Sequence, residues 1–557
     1  MVTVAENMVH ALRANGIDRV YGIPGDSLNG FTDALRKDGT IRWVHVRHEE
    51  SAAFAAAADA ALTGELAVVA GSCGPGNLHL INGLYDANRS RVPVLAIAAH
   101  IPTVEIGTGY FQETHPQELF RESSVYVEYV ADASQMPRLM EIAMRAAIEK
   151  RGVAVLVIPR TRPVIVPRGD ELAQAATLLN AAKKVTILAG AGVEGAHDEV
   201  IALADRLGAP IVHALRGKEH IEYDNPFDVG MTGLLGFASG FRAMDDADTL
   251  LILGSDFPYT QFYPDGATTI QVDIRGEQLG KRHPLDLGLV GDVRATADAL
   301  LPRLQEKSDR SHLDDATQHY RKTRAKLDDL AVKARGRAPI HPQYLARLID
   351  EAAASDAIFT ADVGSPTVWA ARYFTMTEKR RLIGSFNHGS MANAIMHAIG
   401  AQVARPDQQV IALAGDGGLA MMLGELITIT QNKLPVKTIV VNNSSLNFVE
   451  LEMKAAGFVT YGTDLHNPDF AAVAQALGIF ARRVERSEDL LDAVAEVLAH
   501  DGPALLDVVT ERQELSMPPS ISAEQVKGFA LYAIRTVMSG RGDELLDLAR
   551  ANWRQLF

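Results

Sequence analysis

Cysteine is nearly absent from this chain, and its scarcity excludes two classes of stabilised site. Cys73 is the single cysteine among 557 residues, so neither an intramolecular disulfide framework nor a zinc site built from several thiolates is possible. Long apolar runs are also missing, since none reaches the roughly 18 residues that a membrane-spanning helix needs. Residues 1–16 lack the basic start and apolar core of a signal peptide. These absences lead us to expect a soluble, cytoplasmic protein.

An excess of basic charge is missing as well. The formal net charge is −15, which argues against nucleic acid as the main partner because a phosphate backbone attracts basic surfaces. The proportions of hydrophobic and charged residues, 47% and 22%, are typical of a globular protein. A chain of this length exceeds one ordinary hydrophobic core, so we expect about two to four domains.

Short apolar runs alternate with helical patterns through most of the chain, and this alternation predicts doubly wound parallel sheets. We place three such α/β domains at residues 1–160, 179–337 and 338–512. Residues 159–178, which are rich in proline and arginine, are interpreted as a linker, and residues 513–557 as an amphipathic helical tail. The predicted fold class is therefore α/β, with three parallel-sheet domains followed by a helical tail.

The most informative stretch runs from Val410 to Phe448. An apolar run of strand length ends in Gly415-Asp416-Gly417-Gly418, a helical pattern follows, and a second apolar run ends in Asn442-Asn443. Asp416 and Asn443 offer the oxygen ligands that Mg²⁺ prefers, and the glycines let backbone N–H groups approach a phosphate. A Gly-Asp-Gly-Gly turn alone is unspecific. The asparagine pair at the end of the second run, with Asn443 27 positions after Asp416, makes the pattern more specific and favours a site for Mg²⁺ and a diphosphate.

This spacing resembles the diphosphate-and-magnesium motif of thiamine-diphosphate enzymes. Three α/β regions also match the decarboxylase and oxidase superfamily of these enzymes, which have pyrimidine-binding, central and diphosphate-binding domains. The resemblance implies thiamine diphosphate and Mg²⁺ as cofactors, with Asp416, Asn443 and the backbone carbonyl of Ser445 as metal ligands. It also implies that Met391 is the apolar wedge that bends the cofactor, although a methionine is more often core filler. The implied cofactor-binding residues of the third domain are Gly389, Ser390, Met391, Asp416, Gly417, Gly418, Asn443, Ser444, Ser445, Leu446, Asn447, Phe448 and Val449.

Glu49 stands between a predicted strand and an alanine-rich helix, in the sequence His48-Glu49-Glu50. Taken alone, it would be interpreted as a capping or solvated carboxylate. The resemblance implies instead that Glu49, rather than its neighbour Glu50, binds the pyrimidine ring nitrogen and so promotes the tautomer that activates the cofactor. In this superfamily Glu49 and Asp416 would reach one cofactor from different chains. A homodimer is then the smallest active assembly, and a tetramer is usual.

Three segments of the central domain end predicted strands and resemble the FAD contacts of pyruvate oxidases. Asp273 would accept hydrogen bonds from a ribose hydroxyl. Neither these segments nor Gly190-Ala191-Gly192 is specific by itself, so a central domain without flavin remains open at this point. The implied FAD-binding residues are Thr232, Gly233, Leu234, Leu235, Ser255, Asp256, Phe257, Pro258, Tyr259 and Asp273.

Four longer stretches, residues 74–80, 109–116, 213–220 and 384–391, resemble the bacterial quinone-dependent pyruvate dehydrogenases, which are membrane-activated pyruvate oxidases. The resemblance implies oxidation of pyruvate to acetate and CO₂, with electrons passing through FAD to a membrane quinone. The residues implied in catalysis are Glu49, His79, Phe111, Gln112, Phe448 and Glu452.

Within this set, the resemblance gives each residue a place. His79, Phe111 and Gln112 would line the pyruvate pocket, and Phe448 and Glu452 would lie beside the thiazolium. Phe448 would also help to relay electrons to the flavin. For each aromatic residue, ordinary core packing is an equal alternative. One departure is visible, because Asn447 stands where the family commonly has glycine.

The tail offers a feature that separates the members of this superfamily. Phe529, Tyr532, Ala533 and Val537 recur at helical spacing, and such a helix can lie in a membrane interface. Periodicity alone favours packing against the protein body. The resemblance implies that the tail binds phospholipid and thereby raises activity, which would place the protein peripherally on the inner face of the cell membrane.

Three other functions remain open. An acetolactate synthase would keep FAD but reduce no acceptor. An oxidase that passes electrons to O₂ would form peroxide and would not need the tail. A scaffold that has lost catalysis is disfavoured by the intact set Glu49, Asp416 and Asn443.

Overall fold

Three six-stranded sheets, each with helices on its faces, form the framework of the protein. The computed structural model describes residues 4–100, 114–130, 135–155, 166–512, 514, 523–538 and 542–556. All neighbouring strands in the three sheets are parallel, so the fold class predicted from the sequence is confirmed. Over these residues, no helix combines the length and the apolar character that crossing a membrane would require.

The first sheet has the strand order β2-β1-β3-β4-β6-β5. Its strands are β1 (Arg19–Gly22), β2 (Arg42–His45), β3 (Ala67–Gly71), β4 (Val94–Ala98), β5 (Tyr126–Val127) and β6 (Val153–Val155). Its helices are α1 (Val4–Ala14), α2 (Asn29–Asp38), α3 (Glu49–Thr63), α4 (Pro75–Ser90), α5 (Pro116–Leu119) and α6 (Met136–Lys150).

The second sheet has the order β12-β11-β10-β7-β8-β9. Its strands are β7 (Val185–Ala189), β8 (Ile211–His213), β9 (Asp228–Met231), β10 (Thr249–Leu253), β11 (Thr268–Asp273) and β12 (Leu287–Val290). Its helices are α7 (Gly169–Ala181), α8 (His197–Leu207), α9 (Lys218–Ile221), α10 (Ala238–Asp245), α11 (Val293–Leu300) and α12 (Ser311–Lys333).

The third sheet has the order β14-β13-β15-β16-β18-β17. The chain order reverses between β13 and β15, which is where open α/β sheets bind ligands. Its strands are β13 (Ile358–Ala361), β14 (Arg381–Ile383), β15 (Val410–Gly415), β16 (Lys437–Asn442), β17 (Phe480–Val484) and β18 (Ala504–Val509). Its helices are α13 (Pro342–Ala352), α14 (Ser365–Tyr373), α15 (Asn393–Ala404), α16 (Asp416–Met421), α17 (Glu425–Gln431), α18 (Asn447–Ala455), α19 (Phe470–Ala476) and α20 (Leu490–Ala499).

Helix α3 joins the first and third domains. Nearly all of its residues are buried, because it packs against α4 on one side and against α15 of the third domain on another. A Cβ at Gly83 of α4 would lie 2.5 Å from the Cβ of Ala53, and one at Gly400 of α15 would lie 2.2 Å from the carbonyl oxygen of Ala55. The alanine-rich sequence of α3 therefore allows a very close approach of three helices.

The interpretation of residues 159–178 as a linker is wrong for the second half of this range. Residues from Gly169 onward belong to α7, which has acidic residues in its first turn. Leu172, Ala175, Ala176 and Leu179 follow helical spacing and are buried in the core of the central domain. The proline and arginine content of the preceding residues concealed this periodicity.

The tail contains two helices, α21 (Ala523–Met538) and α22 (Gly542–Leu556). Helix α21 packs against α18 of the third domain: Tyr532 is buried, with the Lys454 ammonium 5.7 Å from its ring centroid. Arg535 donates a hydrogen bond to the carbonyl of Gly457, at 2.6 Å. The predicted apolar set is thus divided, because Tyr532 packs on the body whereas Val537 is exposed.

A buried polar cluster connects the central domain to the third domain. Glu222 forms an ion pair with Lys218 and accepts a hydrogen bond from the backbone N–H of Met376. Asp228 lies 3.5 Å from the His213 ring and accepts the backbone N–H of Gly230. Burial raises the pKa of Asp228 to about 7, with the nearby Glu222 charge adding to the effect.

We predict that Asp228→Asn weakens the pH dependence of folding stability. The unfolded chain releases this proton near pH 4, whereas the folded protein holds it up to about pH 7. Stability should therefore fall as the pH rises between about 4 and about 7. Denaturant unfolding at several pH values should give a shallower decline for the variant. Asp245→Asn, which changes an exposed aspartate of the same domain, should keep the wild-type slope, and equal slopes for all three proteins would contradict the prediction.

Candidate active site and cofactor cavity

Asp416 lies at the carboxyl edge of the third sheet, where β15 and β16 end side by side with Gly415 opposite Val441. Its carboxylate is buried, and burial raises its pKa. Oδ2 accepts hydrogen bonds from the backbone N–H of Ser444 at 2.7 Å and from the amide of Asn467 at 2.8 Å, and Oδ1 accepts the N–H of Gly417 at 2.8 Å. Because Oδ2 already has two donors, Oδ1 has the remaining capacity for a metal ion.

Behind Asp416, a chain of side-chain hydrogen bonds fixes its orientation. Asn467 donates its second amide hydrogen to Oδ1 of Asn442 at 2.9 Å. Asn442 in turn donates to Asp507 Oδ1 at 2.9 Å, and Asp507 pairs with Arg483. The two residues of the asparagine pair therefore have different positions, since Asn442 belongs to this hydrogen-bonded chain and Asn443 begins the loop that leads into α18. Groups that orient a metal ligand in this way contribute strongly to metal affinity.

The loop of residues 443–446 is held tightly between β16 and α18. The side chain of Asn443 accepts the N–H of Ser445 at 3.0 Å, and Ser444 has a positive φ of 55°. The Ser445 hydroxyl donates to Glu450 Oε2 at 2.6 Å. Glu450 is buried and ion-paired with Lys454 at 2.8 Å, so the loop that would supply the backbone metal ligand is anchored to α18.

Asn447 stands where the resembling family commonly has glycine, and both the oxygen and the nitrogen of its side-chain amide form hydrogen bonds. The Ser365 hydroxyl donates to Asn447 Oδ1 at 2.8 Å, and Asn447 Nδ2 donates to the carbonyl of Arg512 at 2.8 Å. These two hydrogen bonds restrict the backbone just before Phe448, where a glycine would be flexible.

The glycines of the motif leave no room for larger residues. A Cβ at Gly418 would lie 2.2 Å from Oδ2 of Asp362. Asp362 accepts the backbone N–H groups of Gly415 at 3.0 Å and Ala394 at 2.9 Å, and burial raises its pKa to about 6. Asp362 therefore braces the glycine turn of residues 415–418 against the start of α15.

Met391 lies next to this turn, with its methyl group 3.5 Å from where a Cβ of Gly417 would be. It is only partly buried, which is unusual for a methionine that merely fills a core. Ser390 accepts a hydrogen bond from Asn82 of the first domain at 3.1 Å, and Gly389 has a φ of 81° that suits glycine. Met391 therefore lies beside the turn that carries Asp416, and its role as an apolar wedge stays a prediction.

Glu49 is the first residue of α3 and is largely buried. Its Oε2 lies 2.9 Å from Nδ1 of His79, whose ring stacks on that of His48 with centroids 4.3 Å apart. Burial lowers the pKa of His48, and the neighbouring His79 lowers it further. Glu50 instead accepts a hydrogen bond from Asn82 at 2.8 Å. The two neighbouring glutamates thus face different partners.

The contacts of Glu49 come from the first domain and those of Asp416 from the third. Among the described side chains, no contact joins these two carboxylates. Phe111 and Gln112, predicted for the pyruvate pocket, lie outside the described residues.

A cavity of about 880 Å³ opens between the three domains, and its size suits a dinucleotide. Nine of the ten predicted FAD-binding residues line it: Thr232, Gly233, Leu234, Leu235, Ser255, Asp256, Phe257, Pro258 and Tyr259. Asp273 does not line it, because its buried carboxylate accepts the backbone N–H of Arg275 at 2.9 Å. Phe448 and Glu452 of α18 also lie in the wall, so the cavity reaches the helix that follows the loop of residues 443–446.

The described walls of this cavity are strongly basic. Their acidic side chains are Asp256 and Glu452. Their basic side chains are Arg89, Arg91, Arg216, Arg275, Lys281 and Arg282. This excess of positive charge fits the diphosphate of a dinucleotide. These residues come from separate segments of the first and central domains, and no local pattern marks them.

We predict that Gly418→Ala lowers the affinity for thiamine diphosphate and Mg²⁺ by about 10–100-fold, as is typical when a group that orients a metal ligand is displaced. The new methyl group would overlap Asp362 and shift the turn that carries Asp416. Titration of the apo-protein with cofactor would measure the change. Gly424→Ala is the matched control, because a Cβ there meets no atom within 4 Å, and an affinity for Gly418→Ala equal to that of the control would refute the prediction.

Comparison with known proteins gives an independent assignment. Family models of the thiamine pyrophosphate enzymes match the N-terminal TPP binding domain at residues 2–119, the central domain at 172–300 and the C-terminal TPP binding domain at 362–508. The chain is 36% identical to a putative thiamine pyrophosphate-containing protein, YdaP, of Bacillus subtilis, over 99% of this chain and 98% of the relative.

Two further relatives have more specific names. Pyruvate oxidase of Lactiplantibacillus plantarum is 32% identical over 90% of this chain and 87% of the relative. The acetolactate synthase isozyme 2 large subunit of Escherichia coli is 32% identical over 92% and 96%. Together with the turn around Asp416, these similarities lead to one conclusion: the chain belongs to the family of thiamine pyrophosphate enzymes.

Proposed function

We propose that this protein oxidises pyruvate and water to acetate and CO₂ and passes the two electrons through FAD to a membrane quinone. The two hydrogens of the water balance the formation of the quinol. The observation that carries this proposal is the basic cavity of about 880 Å³, which extends from the strand ends of the central domain to Phe448 and Glu452. A cavity with this position would bring a redox cofactor close to α18, the helix that carries Phe448.

Residues of the first and third domains would hold thiamine diphosphate. Asp416, Asn443 and the carbonyl of Ser445 would bind Mg²⁺. The residues that continue from Asn443, Ser444 to Val449, would contact the cofactor. Glu49 would bind the pyrimidine nitrogen, and His79, 2.9 Å away, would hold that carboxylate in place. When bound, thiamine diphosphate supplies the electron sink for decarboxylation.

The arginines and lysine of the cavity would bind the diphosphate of FAD, and the apolar segments around Leu234 and Phe257 would contact its ring systems. Phe448, in the same wall, would lie between the two cofactors. An acetolactate synthase is the second candidate, favoured by the relative of that name. It would use the same residues but form a carbon–carbon bond without reducing an acceptor.

We further propose that two chains build each active site, with Glu49 from one and Asp416 from the other. Support comes from the separate partners of these carboxylates. A homodimer is then the smallest active form, and a tetramer is the assembly that the family resemblance favours.

The tail supports a role at a phospholipid surface on the inner face of the cell membrane. On α21, Ile534, Val537 and Met538 are 58%, 60% and 82% exposed. Exposed apolar residues that cluster on one helix are typical of interaction sites. Because α21 also packs on the end of α18 near Lys454 and Gly457, lipid binding by this helix would act on the helix that carries Phe448.

The decisive experiment measures reduction of a quinone analogue by the purified protein with pyruvate, thiamine diphosphate, Mg²⁺ and FAD, with and without phospholipid vesicles. We expect acetate and CO₂ in equal amounts with the reduced acceptor, and stimulation by vesicles. Acetolactate without acceptor reduction would assign the synthase function instead. Peroxide formed at the same rate without quinone would assign electron transfer to O₂.

We predict that Glu49→Gln lowers kcat by at least about 100-fold, the range for loss of a positioned proton-transfer group. The amide cannot stabilise the protonated pyrimidine nitrogen as a carboxylate does. Steady-state turnover and cofactor binding should be measured on the same preparation. Glu50→Gln should reduce turnover far less, since its amide oxygen can still accept the hydrogen bond from Asn82. Equal losses in the two variants would contradict the assignment of Glu49.

We predict that the triple change Ile534→Ser, Val537→Ser and Met538→Ser lowers vesicle binding by about 100-fold or more, since roughly 1 kcal/mol or more is lost with each exposed apolar side chain that lipid would bury. Cosedimentation with vesicles would measure this. Val332→Ser, which changes an exposed apolar residue on α12, is the control. Unchanged vesicle binding by the triple variant would remove the tail from the proposal.

A further inference from the structure

Glu450 is a buried carboxylate at which three segments of the chain meet. It lies in the first turn of α18, and its side chain is 2% exposed. Its Oε2 accepts hydrogen bonds from the Ser445 hydroxyl at 2.6 Å and from the Arg512 guanidinium at 3.1 Å. Its Oε1 accepts one from the Lys454 ammonium at 2.8 Å. These three donors are held in fixed positions, because moving any of them away would leave a buried charge less well paired.

The first donor belongs to the loop that would supply a backbone ligand to Mg²⁺. Backbone hydrogen bonds of 2.9 and 3.0 Å pair residues 444–446 with residues 463–465 in an antiparallel bridge. The Ser445 hydroxyl then attaches this loop to α18 through Glu450. A displacement of Glu450 is therefore also a displacement of Ser445.

The second donor contacts the tail. Lys454 lies one helical turn after Glu450 and is equally buried. Its ammonium is 5.7 Å from the ring centroid of Tyr532, which is the fully buried residue of α21. A cation over an aromatic ring is attracted more strongly when the site excludes water. Lys454 thus joins Glu450 to the helix that packs on α18.

The third donor begins the segment that leads to the tail. The Arg512 guanidinium also pairs with Asp464 at 2.6 Å, opposite Ser445 in the antiparallel bridge. Its carbonyl accepts the side-chain amide of Asn447 at 2.8 Å. The chain that enters the tail is therefore attached to the same loop as Glu450.

We propose that Glu450 is a positioning residue that couples occupation of the thiamine diphosphate and Mg²⁺ site to the packing of α21 on α18. This inference rests on the proposed function, in which the Ser445 carbonyl binds Mg²⁺. A metal ion there would restrict the loop, and the loop would hold Glu450 and Lys454 where Tyr532 contacts them. Since these side chains are then already ordered, α21 packs at a smaller cost in conformational entropy. The coupling is reciprocal, so packed α21 raises cofactor affinity by the same factor.

Hydrogen–deuterium exchange of the full-length protein tests this coupling, with the backbone amides of α21 followed by mass spectrometry. We expect saturating thiamine diphosphate and Mg²⁺ to slow exchange in α21 about fivefold or more, the lower end of typical coupling factors. Exchange in α8, which packs in the core of the central domain, should stay unchanged. If α21 exchanges at the same rate with and without bound cofactor, the proposal is wrong.

A variant distinguishes coupling from ordinary packing. Lys454→Met removes the ammonium that joins Glu450 to Tyr532 but keeps an unbranched side chain against the ring. Cofactor should then leave exchange in α21 unchanged. Lys527→Met, which replaces an exposed lysine of α21 itself, should keep the wild-type response. If Lys454 only stabilises α21, its replacement would speed exchange by the same factor with and without cofactor, and the intact response would overturn the proposal.

Failure of the proposed function gives a different result. A wild-type protein that does not bind thiamine diphosphate in the presence of Mg²⁺ would refute the cofactor site and the coupling with it. A wild-type protein that binds the cofactor and oxidises pyruvate, but whose α21 exchange does not respond, would refute only the coupling through Glu450.

Discussion

The close packing of α3 between α4 and α15 is the constraint on which the rest of the structure depends. Gly83 and Gly400 allow backbone and alanine side chains to approach within distances that no larger residue permits. This contact joins the cores of the first and third domains and fixes the start of α3, where Glu49 lies. The alanine-rich composition of α3 and the orientation of its first carboxylate are therefore consequences of the same packing.

The sequence predicts best where the signal is local. The apolar runs at residues 410–414 and 438–441 correspond to β15 and β16 within one residue at each end, because buried parallel strands are short and continuously apolar. Because β15 and β16 are parallel neighbours, the polar residues at their carboxyl ends lie together at one edge of the sheet. The same reasoning failed for α7, where a local excess of proline and arginine concealed a helical period.

Much of the candidate site depends on contacts between distant segments, and these leave no pattern in the sequence. Asn467 orients Asp416 from 51 positions away, and Asp362 supports the glycine turn from 53 positions before Gly415. Single polar residues at such separations have no periodicity or spacing to mark them. The basic lining of the cavity has no such pattern either, although the family resemblance named twelve of the other wall residues from the sequence.

The proposed function requires that electrons from pyruvate reach a flavin held in the large cavity. The most direct test is the absorbance of the FAD-loaded protein after anaerobic addition of pyruvate in the presence of thiamine diphosphate and Mg²⁺. We predict loss of the oxidised flavin spectrum with release of CO₂ and acetate, and recovery of the spectrum when a quinone is added. Release of CO₂ while the flavin stays oxidised would contradict it.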